Sequence, residues 1–180
     1  KIVRIINWVE VKLGKLTDGY IFVGEKVRDE LYSTGIDKTK PNQVIYPVIP
    51  SLVNELKKVQ DTTEISVGWM GRNVDIKNPE LLFEIVKSCP SFNFNIAGDF
   101  SSSEIPNLPN IKFYGWVKPQ DFWPNCGIAL LTSKNEGMPT SMIEAMAYGN
   151  ALVGPDVGSV NEIIQSGFNG FIVENNKEAY

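Results

Sequence analysis

The sequence predicts an α/β fold: a parallel sheet flanked by helices on both faces. Three observations carry this. Short apolar runs rich in β-branched and aromatic residues recur along the chain, bounded by Gly or Pro. The longer stretches between them carry helix start signals and apolar stripes at helical spacing. Strand and helix alternate, and that order builds parallel pairs joined by crossover helices.

Taken in order, residues 1–16 are expected to be a helix, Tyr20–Val23 a strand, Glu25–Thr34 a helix and Val44–Tyr46 a strand. Pro41, Pro47 and Pro50 then cluster, with Ser51 and polar residues behind them. That composition marks a linker, dividing residues 1–50 from a second α/β unit over 51–180. The polar stretch Lys57–Thr63 is expected at the surface.

In the second unit the predicted strands are Ile65–Met70, Phe92–Ala97, Ile111–Tyr114, Ile128–Leu131, Ala151–Val153 and Phe171–Val173. All are too short for helices. Asn78-Pro79-Glu80 opens a helix with an N-cap, Pro at the first position and an early acid. Leu81, Leu82, Ile85 and Val86 form its apolar stripe. Ser141 and Glu144 have capping-box spacing, with Gly149 as the stop. Ser159 and Glu162 repeat the device, ended by Gly167.

Composition excludes several functions. The 180 residues hold no His, so no Ser-His-Asp or Cys-His nucleophile system is available within the chain. A zinc site would need Cys and carboxylates alone. A net charge of −4 argues against a general nucleic-acid binder, though not against a local basic pocket. Cys89 and Cys126 have no CxxC spacing and read as free thiols of a reducing compartment, with a single bridge between them as the alternative. No apolar run reaches membrane-span length, and the start is no signal peptide. The chain lacks an initiator Met and is expected to be part of something longer.

Ligands of doubly wound sheets bind outside the carboxyl ends of the strands, at loops running into helix N-termini. Two loops are suggestive: Gly71–Pro79, with Arg72 and Lys77, and Ser133–Ser141, with Glu136. In the second, Gly137 permits close backbone approach, and the amides of Met138, Thr140 and Ser141 lie at or just before a helix start. Arg72 and Lys77 would add two full charges, enough to neutralise a diphosphate without a metal. Glu136, in the loop, and Glu144, expected in the first helical turn, are separated by seven residues. Each carboxylate can accept hydrogen bonds from the vicinal hydroxyls of a sugar ring.

These residues carry a resemblance. The segment EGMPTSMIEAMAYG resembles the paired-glutamate segment of the retaining GT-B glycosyltransferases called glycosyl transferases group 1. VGWMGRNVDIKNPELLFEIV, FNFNIAGDF, IKFYGWV and VGSVNEIIQSGFNGFIV resemble that family's neighbouring segments, in the same order. The match covers about residues 63–175. It implies a Rossmann-like sheet, the C-terminal donor-binding half of a GT-B enzyme, preceded in residues 1–50 by a remnant of the acceptor-binding domain.

The resemblance also implies roles. Arg72 and Lys77 would bind the diphosphate and, with Glu136, form the catalytic set. Glu136 would hold hydroxyls of the donor sugar and Glu144 those of the ribose. Gly71, Gly137, Met138, Pro139, Thr140 and Ser141 would surround the phosphates and sugar. Gly115, Trp116 and Val117, in the loop ending at Lys118, would border the base. The implied activity is hexosyl-type transfer with retention from a nucleotide-diphosphate sugar to a glycan or lipid-linked acceptor. It needs no cofactor and no metal, and would run in the cytoplasm, with a membrane surface available to the parent protein. The isolated fragment is expected to be inactive. Two departures stand out: a turn that often has two Gly reads Gly158-Ser159, and Ala151 replaces a usual Pro.

Plainer readings compete. Ser141 and Glu144 can be only a cap, Arg72 and Lys77 only solvated charges, and Glu136 only a partner of Lys134. Trp69, Trp116 and Trp123 are more often core than platforms, with Trp116 the exception to watch. Glu162 reads as a helix acid before a ligand. Paired carboxylates also suit a glycosidase, but that chemistry needs no cations or diphosphate cradle. A non-catalytic nucleotide-binding or interaction module on the same sheet is the alternative from another class. A dehydrogenase-type site lacks its GxGxxG.

Overall fold

The computed structural model describes residues 8, 9, 11–49 and 65–180. The expected surface stretch Lys57–Thr63 and the first seven residues of the expected N-terminal helix lie outside these. The chain divides into two compact units, residues 1–48 and 49–180.

In the first unit, residues 8, 9 and 11–14 are helical. Strand β1 (Tyr20–Phe22) pairs in parallel with β2 (Asn42–Val44), and α1 (Glu25–Ser33) connects them. Strand β2 therefore lies two residues before the expected Val44–Tyr46. The register Tyr20↔Asn42 and Phe22↔Val44 is set by the partner strand, and the more strand-like Ile45-Tyr46 runs past the paired segment. Lys40 Nζ donates to the carbonyl of Gly14 at 2.7 Å, tying the end of the first helix to the strand pair.

The second unit is a six-stranded, wholly parallel sheet: β3 (Ser66–Met70), β4 (Asn93–Ala97), β5 (Ile111–Phe113), β6 (Ile128–Leu130), β7 (Ala151–Pro155) and β8 (Gly170–Val173). Their spatial order is β5-β4-β3-β6-β7-β8. The chain winds outward from β3 in one direction and from β6 in the other, the order of a doubly wound α/β sheet. All six expected strands are present.

Alternation along the strands sends side chains to two cores. Val67, Trp69, Phe94, Ile96 and Leu130 face α2 (Pro79–Ser88), whose Leu81, Leu82, Ile85 and Val86 are buried as the stripe predicts. Ala97, Ala129, Leu131 and Leu152 face the other way. There they meet Met142 and Ala145 of α4 (Thr140–Ala147), and Phe122 and Trp123, which join α3 (Pro119–Phe122) to a short 3-10 turn. Cys89 and Cys126 are both free thiols. Burial pushes the Cys126 thiol up to about 11, so it stays protonated.

The three expected caps differ from the structure. Asn78 precedes α2 in the left-handed region (φ 53°, ψ 57°) and makes no side-chain cap bond, because it also terminates the 3-10 turn Asp75–Lys77. Helix α4 starts at Thr140 behind Pro139, so Ser141 is already helical and Glu144 stands beyond the first turn. Ser159 introduces only one 3-10 turn, Val160–Glu162, and its buried hydroxyl has no partner. Gly149 does end α4: its amide donates to Met146 and that of Asn150 to Ala145, with Gly149 at φ 79°.

Leu82 is fully buried under the sheet. Leu82→Ala is expected to lower the unfolding free energy by about 2–5 kcal/mol, read as a lower urea midpoint with an unchanged slope.

Candidate functional site

The carboxyl ends of β3, β4, β5 and β6 open into one cleft of about 450 Å³. Gly71, Arg72 and Lys77 enter from the loop after β3, and Glu136, Met138 and Pro139 from the loop after β6. Thr140, Ser141 and Glu144 come from α4. Trp116, Val117 and Lys118 come from the loop after β5. The cations and the acids expected of the site thus share one side of the sheet. Gly115 and Gly137 border these loops without lining the cleft: the carbonyl of Gly115 accepts the Gly98 amide, and that of Gly137 the Ser159 amide.

Two ion pairs knit the loops together. Lys77 Nζ lies 2.5 Å from Glu136 Oε1, and the Ser133 hydroxyl donates to the same oxygen at 2.6 Å. Lys134 instead pairs with Asp75 at 2.5 Å, so the local Lys134–Glu136 pairing is not formed. The Lys77–Glu136 contact joins residues far apart in sequence, at side-chain exposures of 22% and 10%. A pair this sheltered is screened by salt less than a surface pair.

The loop of Arg72 is held from the other side. The Asn73 amide donates to Asp99 at 2.5 Å and its side chain to Glu104 at 2.6 Å. The Ser101 hydroxyl and amide hold the Glu104 carboxyl below its ordinary range. Arg72 itself is exposed and has no ion pair among the described residues. A Cβ at Gly98 would collide with the Gly71 carbonyl oxygen, so the ends of β3 and β4 can close up only around glycine.

Behind the acid loop the constraint is tighter. Gly158 has φ 51°, and a Cβ there would overlap the carbonyl oxygen of Glu136. The Gly158-Ser159 turn is therefore packed directly on the backbone that presents Glu136. Glu162, in the 3-10 turn beyond it, does not line the cleft.

Helix α4 points its start into the cleft. Thr140 and Ser141 are its first two residues, so their amides are orphan donors at the positive end of the helix dipole. Glu144 is half-buried below them. Burial pushes its carboxyl above the ordinary range. Trp69 and Trp123 are core, 2% and 1% exposed, whereas Trp116 is 80% exposed at the cleft rim.

Three cations, Arg72, Lys77 and Lys118, thus face two carboxylates, a local basic excess on an acidic chain. Lys118 lies in a loop singled out from sequence, but its charge is no part of that reading. The Lys118-Pro119 step, which opens α3, is the available signal. Among the described residues no group of three or more His, Cys, Asp or Glu could hold a metal ion.

Comparison with known proteins gives this geometry a family. The family model for glycosyl transferases group 1 matches residues 64–180. A 41.2 kDa protein of the cps region of Klebsiella pneumoniae is 25% identical over 94% of this chain and 51% of its own length. The O-antigen biosynthesis glycosyltransferase WbnH of Escherichia coli is 29% identical over 64% of the chain and 35% of its own length. Among solved structures, Anabaena Alr3699/HepE, in complex with UDP and glucose, superposes with a TM-score of 0.80 at 18% identity, covering 98% of this chain and 55% of that one. A mutant of S. aureus TarM, in complex with Fondaparinux, alpha-GlcNAc-glycerol and UDP, gives 0.75 at 25% identity, covering 92% and 35%. The chain therefore spans about a third to a half of these relatives. Its six-stranded sheet is the Rossmann-like sheet of GT-B glycosyltransferases, and with residues 64–180 matched the chain belongs to the glycosyl transferases group 1 family.

Proposed function

We propose that this chain is the donor-binding part of a hexosyl-type glycosyltransferase that transfers sugar, with retention, from a nucleoside diphosphate sugar to a glycan or lipid-linked acceptor. One observation carries the reading: Arg72, Lys77 and the start of α4 converge with Glu136 and Glu144 on a single cleft at the sheet's switch point.

The chemistry follows from the charges. Breaking the bond between the sugar's anomeric carbon and the diphosphate leaves negative charge on the phosphate oxygens. Fixed cations and orphan amides aimed at that charge stabilise it without reorganising. Arg72 and Lys77 supply the full charges, and Thr140 and Ser141 the amides. Glu136 then accepts hydroxyls of the sugar and Glu144 those of the ribose. Lys77 already holds Glu136 at 2.5 Å, and as a bridge between carboxylate and diphosphate it offsets their repulsion. With the charge met by side chains, the reading calls for no metal and no cofactor. Trp116 and Val117, beside the strand ends opposite Glu136, border the base.

Residues 1–48 we assign to the acceptor-binding domain. In support, parallel sheets normally bury both faces, yet among the described residues β1 and β2 pair only with each other, and Ile21 is 73% exposed. The acid or base acting on the acceptor belongs to the rest of that domain. Two free thiols fit a reducing, cytoplasmic setting. No helix among the described residues is long and apolar enough to cross a membrane. A lipid-linked acceptor would be met at the cytoplasmic face.

In calorimetry the 180-residue chain is expected to bind one of UDP, GDP and ADP weakly without turning over a sugar donor; silence with all three at about millimolar ligand overturns the reading. Lys77→Ala and Arg72→Ala are each expected to weaken that binding about ten- to a hundredfold. In the intact parent, Glu136→Ala is expected to reduce transfer at least about a hundredfold, whereas transfer within a few-fold of the parent favours a non-catalytic module.

Keeping Glu144 ionised in its half-buried position opposes folding, because its folded value is raised. Stability tied to such a carboxyl is present at low pH and lost as pH rises through the raised value. Ligand-free Glu144→Gln is therefore expected to melt above the parent at about pH 7. The gap should close as pH falls through the carboxyl range, and a pH-independent gap would contradict the assignment.

A further inference from the structure

The backbone of Lys77 is bonded to a residue outside the cleft lining. It ends the 3-10 turn Asp75–Lys77, and the next residue, Asn78, turns into the left-handed region to start α2. The Lys77 carbonyl is thus left at a break between two helical segments. The Thr132 hydroxyl, just past β6, donates to that carbonyl at 2.8 Å. The hydroxyl oxygen in turn accepts the Trp69 indole N–H at 3.0 Å, from the neighbouring strand β3. Thr132 is fully buried and Trp69 is 2% exposed, so neither group has water to turn to.

We propose that Thr132 is a positioning residue for donor binding: its hydroxyl, oriented by Trp69, fixes the Lys77 backbone and so holds the Lys77 ammonium in the cleft beside Glu136. The proposal rests on the reading of Lys77 as a diphosphate ligand. The chemistry restricts which residues can serve here. The group accepts from an indole N–H and donates to a carbonyl through one and the same atom, as the hydroxyl of a Ser or Thr does. With the indole hydrogen fixed on one lone pair, the hydroxyl proton is directed at the Lys77 carbonyl. A second bond runs alongside: the Lys134 amide donates to the Ile76 carbonyl at 2.8 Å. Two successive carbonyls of the turn are therefore pinned to the strand end that leads to Glu136. The ammonium and the carboxylate are referenced to the same two strands.

The test uses Thr132→Val, which keeps the shape and removes the hydroxyl, and Thr132→Ser, which keeps the hydroxyl. Thr132→Ala takes the place of Thr132→Val should that variant fail to fold. UDP affinity, with GDP and ADP as the other arms, is measured by calorimetry in the parent and Lys77→Ala backgrounds. Thr132→Val is expected to weaken binding about tenfold in the parent background and less than about twofold in the Lys77→Ala background, while Thr132→Ser stays within about twofold. An equal loss in both backgrounds marks general structural damage and overturns the proposal, as does no loss where Lys77→Ala itself weakens binding.

A ligand-free readout separates the two ideas. The coupling between Lys77 and Glu136 is measured by urea unfolding of the single and double Ala variants, once with Thr132 intact and once in the Thr132→Val background. Coupling lost without the hydroxyl supports the positioning role even if no nucleotide binds, an outcome that removes the donor reading alone. Coupling unchanged overturns the positioning role whatever the nucleotide result.

Discussion

The cleft depends on the parallel pairing of β3 with β6, where Val67 lies opposite Ile128 and Gly68 opposite Ala129. These strands are neighbours in space but far apart in sequence, and the chain leaves them toward opposite edges of the sheet. The loops at their carboxyl ends diverge, and the gap they leave is the cleft. Gly68 is part of what permits this pairing: a Cβ there would meet Cys126 Sγ at 2.6 Å and the Trp123 ring at 2.9 Å. One missing side chain in the central strand lets the Phe122–Cys126 segment pack flat beneath it.

From that pairing the electrostatics follow. Each strand end delivers one charge of the sheltered Lys77–Glu136 pair. The pair is supported on both sides, by Ser133 on the carboxylate and by Thr132 on the lysine backbone. Arg72, by contrast, stays exposed while its neighbour Asn73 is tied down. Of the three cations lining the cleft, Lys77 is thus paired with an acid, while Arg72 stands exposed without an ion pair among the described residues.

Much of the sheet is legible in the sequence because buried parallel strands must be continuous apolar runs and the breaks between them need Gly or Pro. The stripe of α2 is equally plain. The caps mislead for a shared reason. Ser141–Glu144 and Ser159–Glu162 have the right spacing, but spacing does not say where the helix begins. Pro139 sets φ at −74° and starts α4 before Ser141, while Ser159 is drawn into the core against the acid loop. In β2 the register of the partner strand outweighs side-chain preference. The charges of the site can be read along the loops, and their meeting in one cleft is a product of topology. The Trp69–Thr132–Lys77 chain cannot be read, because its three members lie in separate segments and only the folded sheet brings them together.

The contact between Gly158 and Glu136 has a consequence for how this cleft can diversify. Main chain rests on main chain there, with no side chain between to trim or enlarge. Gly158 sits behind the cleft lining, so the course of the backbone that presents Glu136 is fixed by the fold itself, and the cleft's shape is left to side chains that line it, such as Met138 or Trp116. Change in the cleft would keep this backbone contact constant and vary its surroundings.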